Sequence, residues 1–253
     1  MKNRYFFEIA FNGSNYHGWQ KQPNQITVQE VCNEKISVML GEDINCHGCG
    51  RTDAGVHATK FLFHFDTPQL LDYNFAYKLN SFFPQDIKML KMYGLKKRIH
   101  ARYDALSRTY EYLISHGKSP FLPDMTASFH ENFDMGLMNE ACSILLKYND
   151  FETFSKSNNS HSHYLCDLYE ASWREEKELL IFRISANRFV RSMVRLIVGT
   201  LLEIGKQKIS IEEFKVIIES KDRTKAGKSV PAYGLYLVDV AYPEGVFKEF
   251  LPV

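Results

Sequence analysis

The chain has 253 residues, of which 45% are hydrophobic and 24% charged, and its formal net charge is +1. These values are ordinary for a globular protein with a sizeable core, and they mean that a nucleic-acid partner would have to be met by local basic patches. No apolar run approaches the ~18 residues of a membrane span, and the N-terminus lacks a signal-peptide core, so we expect a cytoplasmic protein with no membrane partner. Five cysteines stand at irregular spacing, so we expect no disulfide scaffold.

The first predicted strand covers the aromatic and apolar residues 5–11. Residues 13–20 (Gly-Ser-Asn-Tyr-His-Gly-Trp-Gln) predict a loop whose composition suits stacking on RNA bases. The alternative is a surface loop with its aromatic rings tucked against the protein. Thr27 and Glu30 have the spacing of a capping box, which predicts a helix that ends at Gly41. Its candidate core contacts are Val31, Ile36, Met39 and Leu40.

A CxxC motif, Cys-His-Gly-Cys, occupies residues 46–49. No second CxxC follows at zinc-finger spacing, so the motif is a weak indication of metal. The alternation of side chains over residues 44–49 predicts a strand that leads into the segment after it.

Residues 48–58 (Gly-Cys-Gly-Arg-Thr-Asp-Ala-Gly-Val-His-Ala) crowd small residues around Arg51 and Asp53, which predicts a tight turn. Just downstream, alternating phenylalanines at positions 61, 63 and 65 predict a half-buried strand over residues 59–66. A carboxylate held by a stiff turn at the mouth of a strand suits catalysis. The alternative is a turn whose Asp and Arg cap its own backbone.

Asp72 predicts the start of a helix that runs to Ser81, with Pro84 just beyond it. A basic run follows without an intervening acid, and apolar residues alternate with its first members, which predicts a strand with one basic side. A phosphate-facing patch is favoured over a merely solvated face. The basic residues are Lys88, Lys91, Lys96, Lys97, Arg98 and Arg102.

The second half opens with a predicted strand over residues 107–115, in which Tyr110 and Tyr112 share one face and on spacing alone are core residues. Asp134 begins a helix with Met138, Cys142, Leu145 and Leu146 inward. Residues 155–163 form a polar loop, in which His161 and His163 are more typical of a solvated loop than of metal ligands. Strands are then predicted near residues 164–173 and 179–186.

Residues 187–205 combine an apolar helical pattern with three arginines. A helix that begins at Phe189 would bury Val190, Met193, Val194, Ile197, Val198 and Leu201. One side of it would carry Arg188, Arg191, Ser192, Arg195 and Gly199, where the two small residues let another backbone or a ligand come close. The alternative role for the arginines is salt bridging to surface acids.

The last predicted helix begins at a capping box, Ser210 to Glu213, and runs to Ser220. A basic loop over residues 221–228 and a closing strand from residue 232 follow. Each half of the chain therefore reads as strand, helix, strand, then helix and strand again. This order predicts a mixed α/β (α+β) fold with two similar lobes.

Residues 50–58 (Gly-Arg-Thr-Asp-Ala-Gly-Val-His-Ala) resemble, at nine consecutive positions, the signature of the tRNA pseudouridine synthase A (TruA) family. Residues 187–195 resemble a second block of that family, and residues 232–237 resemble its GLYL segment, which includes Leu235. The loop at residues 13–20 is similar to the family's tyrosine- and tryptophan-bearing loop. One departure is Cys166, which stands where many members carry an arginine, and it weakens the expectation of RNA contacts from that strand.

The resemblance implies two ferredoxin-like, RRM-like lobes with joined antiparallel sheets and a central catalytic cleft: residues 1–102 with the catalytic Asp, and residues 103–253. It implies that Asp53 is catalytic, that Arg195 pairs with it and keeps it ionised, and that Tyr110 contacts the target base. The substrate-binding residues that it implies are Tyr110, Arg51, Arg188, Arg191 and Leu235.

The implied reaction converts uridine to pseudouridine at positions 38, 39 and 40 in the anticodon arm of tRNA, by a homodimer that needs no cofactor and no metal. The target base would be flipped out to reach the site. Asp53 can serve as a nucleophile or as a general base. Two rival functions remain open: a non-catalytic RRM-like RNA-binding protein, and a metal-dependent hydrolase that uses Asp53, His57 and His47.

Overall fold

The computed structural model describes residues 2–117, 124–156 and 164–249. His161 and His163 lie outside the described residues. The chain folds as two compact units: the first contains the residues up to 106 together with those from 237 on, and the second contains residues 107–236. Five α-helices and two antiparallel sets of strands in the described ranges confirm the mixed α/β prediction. None of these helices is long and apolar enough to cross a membrane.

The first unit is an antiparallel sheet with two helices. The elements are β1 (Asn3–Phe11), α1 (Val28–Leu40), β2 (His47–Gly48), β3 (His57–Thr67), α2 (Tyr73–Phe82), β4 (Ile87–Leu95) and β10 (Phe247–Glu249). The strand order is β10-β4-β1-β3, and β2 pairs with β3. Phe7 on β1 stacks on Phe63 and Phe65 of β3 and meets Phe75 of α2, so this face forms the core.

Both predicted helix starts in this unit are confirmed. The Thr27 hydroxyl accepts from the Glu30 backbone N–H, and the Asp72 carboxylate accepts from that of Phe75. Gly41 ends α1 in the left-handed conformation, with φ of 65°. Ile36 is buried as predicted, whereas the other three predicted contacts of α1 are only half-buried.

A bulge explains why β4 has one basic side. Ile9 pairs with Met89 and Glu8 pairs with Lys91, so Leu90 is an extra residue in the strand. The bulge resets the side-chain alternation, and Lys88 and Lys91, three positions apart, are therefore both exposed.

The C-terminal segment returns to the first unit. Its strand β10 pairs with β4, and Tyr242 and Phe247 contact Phe6 at ring-centroid distances of 5.8 and 5.5 Å. Nothing in the sequence indicated this return. The lobe boundary at residue 102 and the cleft between lobes stay predictions.

The second unit combines antiparallel strands with three helices. The elements are β5 (Ser107–His116), β6 (Ala127–Phe129), α3 (Met135–Leu145), β7 (Leu168–Glu176), β8 (Leu179–Ala186), α4 (Met193–Gly205), α5 (Ile211–Glu219) and β9 (Leu235–Ala241), which ends in the first unit. The strands β5, β8 and β7 are antiparallel neighbours, and β6 pairs with β5 in parallel. The side chain of Asn139 on α3 bonds both the N–H and the carbonyl of Trp173, which docks the helix on β7.

Helix boundaries in the second unit differ in part from the predictions. Asp134 caps α3 and the capping box of Ser210 and Glu213 opens α5, as predicted. Leu146, predicted to point inward, is exposed because it follows the last turn of α3.

The helix predicted from Phe189 begins at Met193 instead. Ser192 has a left-handed φ of 63°, which interrupts a helix at that residue. Arg188 and Arg191 therefore precede α4 and do not share its face, and of the predicted stripe only Arg195 and Gly199 lie on the helix.

Candidate active site

Asp53 lies on a tight turn between β2 and β3, and its side chain is half-buried. The Asp53 carbonyl accepts a hydrogen bond of 3.2 Å from the Val56 N–H, and Gly55 takes a φ of 78°. These features confirm the predicted turn, which we call the Asp53 turn (residues 50–56). The strand predicted to lead into it over residues 44–49 is reduced to the two residues of β2.

The N-terminal loop (residues 12–20) grips the Asp53 turn on both sides of the carboxylate. The Trp19 N–H donates to the Thr52 hydroxyl at 3.0 Å, and the Gly55 N–H donates to the Tyr16 carbonyl at 3.1 Å. Thr52, immediately before Asp53, and Gly55, two residues after it, are thus bonded to the same loop. The backbone position of Asp53 follows from these contacts.

Two glycines of the loop permit this grip. A Cβ on Gly13 would lie 2.0 Å from the Val56 carbonyl oxygen, and one on Gly18 would lie 2.1 Å from the Thr52 carbonyl oxygen. Gly18 also has a φ of 84°, which favours glycine. The Gly13 N–H donates to Nδ1 of buried His57 at 3.0 Å. Any larger residue at these positions would push the loop off the turn.

The aromatic side chains of the loop are buried, so their predicted stacking on RNA bases is wrong and the tucked-loop alternative is confirmed. Trp19 is 1% exposed and stacks on Phe61 at 4.2 Å. Tyr16 is 5% exposed and its hydroxyl donates to Asp86 at 2.6 Å. Burial, with that bond, raises the pKa of Tyr16. The buried rings of Trp19 and Tyr16 therefore hold the N-terminal loop against the first unit.

A buried amide that the sequence analysis missed ties the end of the loop to the segment before the turn. Gln29 Oε1 accepts from the Lys21 N–H and from the Gln20 side chain, each at 2.8 Å, and its Nε2 donates to the Cys46 carbonyl at 2.7 Å. The only feature of the sequence that pointed to Gln29 is its position as a polar residue close to the helix start at Thr27. Gln29 therefore links the end of the N-terminal loop to Cys46, which lies a few residues before the Asp53 turn.

The side chains of the hydrolase alternative are engaged in the fold. His57 Nδ1 accepts from the Gly13 backbone, and His47 stacks on His64 at 5.1 Å. Burial raises the pKa of the Cys46 thiol, which opposes the thiolate that zinc would need. Within the described ranges no three His, Cys, Asp or Glu side chains are grouped as metal ligands. That this protein needs no metal stays a prediction.

Tyr110 and Tyr112 share a face of β5 in the second unit. Tyr110 is 8% exposed, and the ring of Phe189 meets it edge-to-face at 5.2 Å. The Tyr112 hydroxyl donates to the Pro231 carbonyl at 2.9 Å, and burial raises its pKa although the charge of Arg195 opposes the shift. Phe189 thus braces Tyr110, while Tyr112 secures the segment before β9.

Arg195, in the first turn of α4, is bonded to a neighbouring loop. Its Nε donates to the Val230 carbonyl at 2.8 Å, and the Val230 N–H donates back to the Arg195 carbonyl at 3.3 Å. One turn further, a Cβ on Gly199 would lie 1.8 Å from the Lys228 carbonyl oxygen. The prediction that small residues here admit another backbone is confirmed at Gly199. The loop orients the Arg195 guanidinium.

Leu235 begins β9 and is buried at 6% exposure. The residue before it, Gly234, packs on the ring of Tyr112, where a Cβ would lie 2.7 Å from Cζ. The segment that resembles the GLYL block is therefore positioned by the same tyrosine that bonds Pro231.

The remaining predicted substrate-binding residues, which are arginines, differ in their exposure to solvent. Arg51 and Arg191 are exposed, whereas Arg188 is half-buried. Burial raises the pKa of the Cys166 thiol to about 11, and the charge of Arg188 opposes that shift. Because Cys166 is 1% exposed, its side chain presents no RNA-contacting surface.

The structure therefore places each predicted site residue within its own unit. Asp53 belongs to the first unit, whereas Tyr110 and Arg195 belong to the second. The pairing of Asp53 with Arg195 and the contact of Tyr110 with a base stay predictions.

Comparison with known proteins identifies the family. The family model described as tRNA pseudouridine synthase matches residues 9–104 and 141–243. The tRNA pseudouridine synthase A of Parabacteroides distasonis is 44% identical over 246 residues, which cover 96% of this chain and 98% of the relative. That of Bacteroides fragilis is 44% identical over 248 residues (97% and 98%), and that of Caldicellulosiruptor bescii is 38% identical over 237 residues (92% and 97%). The resemblance seen at residues 50–58 is confirmed, and the chain belongs to the tRNA pseudouridine synthase family and is an isomerase.

Proposed function

We propose that this tRNA pseudouridine synthase modifies uridines 38, 39 and 40 of the anticodon arm, with Asp53 as its catalytic residue. The observation that carries the proposal is the Asp53 turn. There a half-buried carboxylate is held on both sides by hydrogen bonds that join the Thr52 hydroxyl and the Gly55 N–H to main-chain groups of the N-terminal loop. Such rigid placement is what a reacting carboxylate needs, since small errors of position are costly in rate. A turn that merely capped its own backbone would need no such external support.

The reaction breaks the N1–C1′ bond of uridine, turns the uracil and forms a C5–C1′ bond. C5 loses its proton and N1 gains one, so the product is an isomer of the substrate. It involves no redox change, so we expect no cofactor. Asp53 acts as a nucleophile or as a general base beside C1′ and C6. The uridine must leave its stack to reach a carboxylate on a protein turn, which costs least in a loop or a bendable arm.

Arg195 is the proposed partner of Asp53. A guanidinium carries five N–H donors in a planar fork, and the bond from Nε to Val230 uses one of them while setting the orientation of the plane. A positive charge beside Asp53 would keep the carboxylate ionised. In this proposal two ferredoxin-like lobes, with joined sheets, form a cleft in which Asp53 and Arg195 meet.

Tyr110 is the proposed contact of the flipped uracil, and its ring is held for that purpose by Phe189. Leu235 would line the same site. Arg51, Arg188 and Arg191 would hold the displaced strand and its phosphates, because arginine binds phosphate oxygens in bidentate fashion.

The tRNA body would be held by basic residues spread over two subunits of a cytoplasmic homodimer. One chain has a net charge of only +1, so two-fold symmetry would bring a second set of basic patches to the same RNA. Not every basic residue contributes, since Arg98 and Lys221 are paired with Asp66 and Asp150. Three neighbouring targets imply that the arm is read more by shape than by base identity. Light scattering at assay concentrations should show a dimer.

The deciding experiment maps pseudouridine in a tRNA transcript treated with the wild type, Asp53→Asn or Asp43→Asn. Asp43 is an exposed carboxylate ten residues earlier and serves as the matched control. We expect pseudouridine at positions 38–40 from the wild type and from Asp43→Asn, and none from Asp53→Asn, which should still bind tRNA because phosphate contacts carry most of the affinity.

Normal turnover by Asp53→Asn would refute the catalytic assignment and favour another residue. Pseudouridine only outside the anticodon arm would refute the target positions. A wild type that binds tRNA without modifying it would favour the RNA-binding rival. Loss of activity in EDTA would favour the metal-dependent rival, whereas we expect activity to survive.

A further inference from the structure

A row of aromatic rings leads from the core of the first unit to its surface. Phe6 and His64 are fully buried and stack at 5.2 Å. His64 meets the ring of His100 at 4.6 Å, and His100 meets the ring of Tyr103 at 4.4 Å. Tyr103 ends the row and is 75% exposed. An aromatic surface is thus supported from beneath by three further rings.

Hydrogen bonds fix the turn that carries Tyr103. The Arg102 N–H donates to His100 Nδ1 at 3.0 Å, and the His100 N–H donates to the Asp104 carboxylate at 2.7 Å. The Asp104 N–H in turn donates to the His100 carbonyl at 3.1 Å. A large exposed ring on such a turn is already ordered, so a ligand that stacks on it pays little additional entropy.

Ala101 anchors the same turn to the sheet. Its N–H donates to His64 Nδ1 at 3.1 Å, and its carbonyl accepts from the Tyr242 hydroxyl at 2.6 Å. Both partners contact Phe6 in the core. The position of Tyr103 is therefore set by the fold of the first unit.

A guanidinium lies beside this ring, and two exposed lysines precede it in the same segment of the chain. Lys96, Lys97 and Arg102 are exposed, and the Arg102 guanidinium lies 5.7 Å from the centre of the Tyr103 ring. The Asp66 carboxylate stays ionised, because the hydrogen bond from Arg4 and the charge of Arg98 lower its pKa. Both arginines lie 2.7 Å from it, so the three groups together carry a net charge of +1.

We propose that Tyr103 is an RNA contact outside the catalytic residues, where one unpaired base of the tRNA stacks on the ring while the adjacent phosphates meet Arg102, Lys96 and Lys97. The inference rests on the proposed function for the identity of the RNA. An exposed ring with a guanidinium beside it has the composition of a single-strand contact, in which stacking is tolerant of base identity and cations follow the backbone. The centre of a protein interface would instead be depleted in lysine.

The test measures the affinity of an unmodified tRNA transcript for Tyr103→Ala, Tyr103→Trp and the wild type. Stacking of one base on an aromatic side chain changes affinity by a factor on the order of ten, so we expect about a tenfold weaker complex for the alanine variant. The tryptophan variant should stay within about twofold, because its ring offers a comparable face. Tyr103 is exposed, so its replacement does not affect the core.

Two control measurements separate stacking from charge and from general surface effects. Tyr169→Ala removes another exposed tyrosine, flanked by Leu168 and Glu170 in the second unit, and should bind as the wild type does. Stacking neutralises no phosphate, so Tyr103→Ala should keep the wild-type salt dependence. A combined Lys96→Ala, Lys97→Ala variant should lower the slope of log affinity against log salt by roughly 1–2 units.

Tyr103→Ala binding within twofold of the wild type would overturn the inference. So would a change from dimer to monomer without loss of RNA affinity, which would assign this surface to a second copy of the chain. Pseudouridine mapping on the same samples separates the two proposals. If the wild type makes pseudouridine while Tyr103→Ala binds tRNA normally, only this contact is refuted. If Tyr103→Ala binds tRNA about tenfold more weakly but the wild type makes no pseudouridine, the contact is supported and the proposed function is refuted.

Discussion

The Asp53 turn and the start of α4 at Arg195 are held in place by different means. Main-chain groups of the N-terminal loop bond the Asp53 turn, and two glycines allow the backbones to touch. Arg195 instead lies on a regular helix, where a hydrogen bond from its Nε to the Val230 carbonyl helps to orient its side chain. The carboxylate thus depends on backbone packing between segments about 35 residues apart in sequence, whereas the guanidinium depends on a helix and on side-chain hydrogen bonding.

The difference indicates where each site group is vulnerable. A carboxylate placed by backbone packing should be disturbed by changes at residues that never contact substrate. A guanidinium carried on a helix should be disturbed mainly by its own replacement. Three predictions test this contrast, and a fourth tests the stability of the unit that carries the Asp53 turn.

The largest expected effect is that of Arg195→Ala. Removing one preorganised electrostatic partner costs about 100- to 1,000-fold in rate, so single-turnover pseudouridine formation should fall by that order. Arg188→Ala and Arg191→Ala, which precede α4, are the matched controls and should mainly weaken tRNA binding. Equal rate losses at all three positions would remove the special role of Arg195.

Gly13→Ala should destabilise the protein by about 2–3 kcal/mol and lower turnover, because the new Cβ overlaps the Val56 carbonyl. Gly50→Ala, at a position where a Cβ meets nothing within 4 Å, should change stability by less than about 0.5 kcal/mol. Urea unfolding and single-turnover rates measure both effects. If Gly13→Ala were as stable and as active as Gly50→Ala, the N-terminal loop would not be what holds the Asp53 turn in place.

The first unit should lose stability in mild acid because of His64. Burial first, then the charge of Arg4, lowers the pKa of His64 from 6.5 to about 3. The folded state therefore binds fewer protons than the unfolded state below pH 6.5, so stability is complete above that pH and falls as the pH drops toward 3. The loss between pH 7 and pH 5 should be about 2 kcal/mol, and His100, whose pKa burial also lowers, adds in the same direction.

Unfolding of a Trp173→Phe variant measures this loss, since Trp19 is then the only tryptophan and reports on the first unit. His64→Asn keeps an acceptor for the Ala101 N–H but does not titrate, so its stability should vary less with pH. His130→Gln, at an exposed position in the second unit, is the control. An unchanged pH dependence in His64→Asn would assign the acid loss to other groups.

The smallest effects on stability should come from two substitutions that each remove local hydrogen bonding. Thr52→Val removes the acceptor of the Trp19 N–H, and Ser210→Ala removes the cap of α5; each should cost about 1 kcal/mol. Only the Thr52 change should reduce turnover, because only it loosens the Asp53 turn, and Thr52→Ser should restore the rate. A matching rate loss in Ser210→Ala would mean that general stability, not the turn, controls catalysis.

The sequence by itself determined the features that depend on neighbouring residues. Caps at Thr27, Asp72, Asp134 and Ser210 were readable because a side chain bonds a backbone N–H only three positions away. The existence of β3 and the small residues of the Asp53 turn were readable for the same reason. The prediction that β3 is half-buried was wrong, because Leu62 and His64 on its other face are buried as well as the alternating phenylalanines. The nine-residue block around Asp53 also carried the family assignment that the comparisons confirmed.

Only the tertiary structure decided the features that join distant segments. The bulge at Leu90 arises from the pairing of β4 with β1, and the return of β10 to β4 joins segments about 150 residues apart. The burial of Tyr16 and Trp19 likewise depends on partners that the loop meets only after folding. The left-handed Ser192 moved the start of α4 from residue 189 to 193, because apolar periodicity carries no information about a single backbone angle. Local bonding preferences are written in short sequence patterns, whereas close approaches such as Gly13 to Val56 are consequences of packing the whole unit.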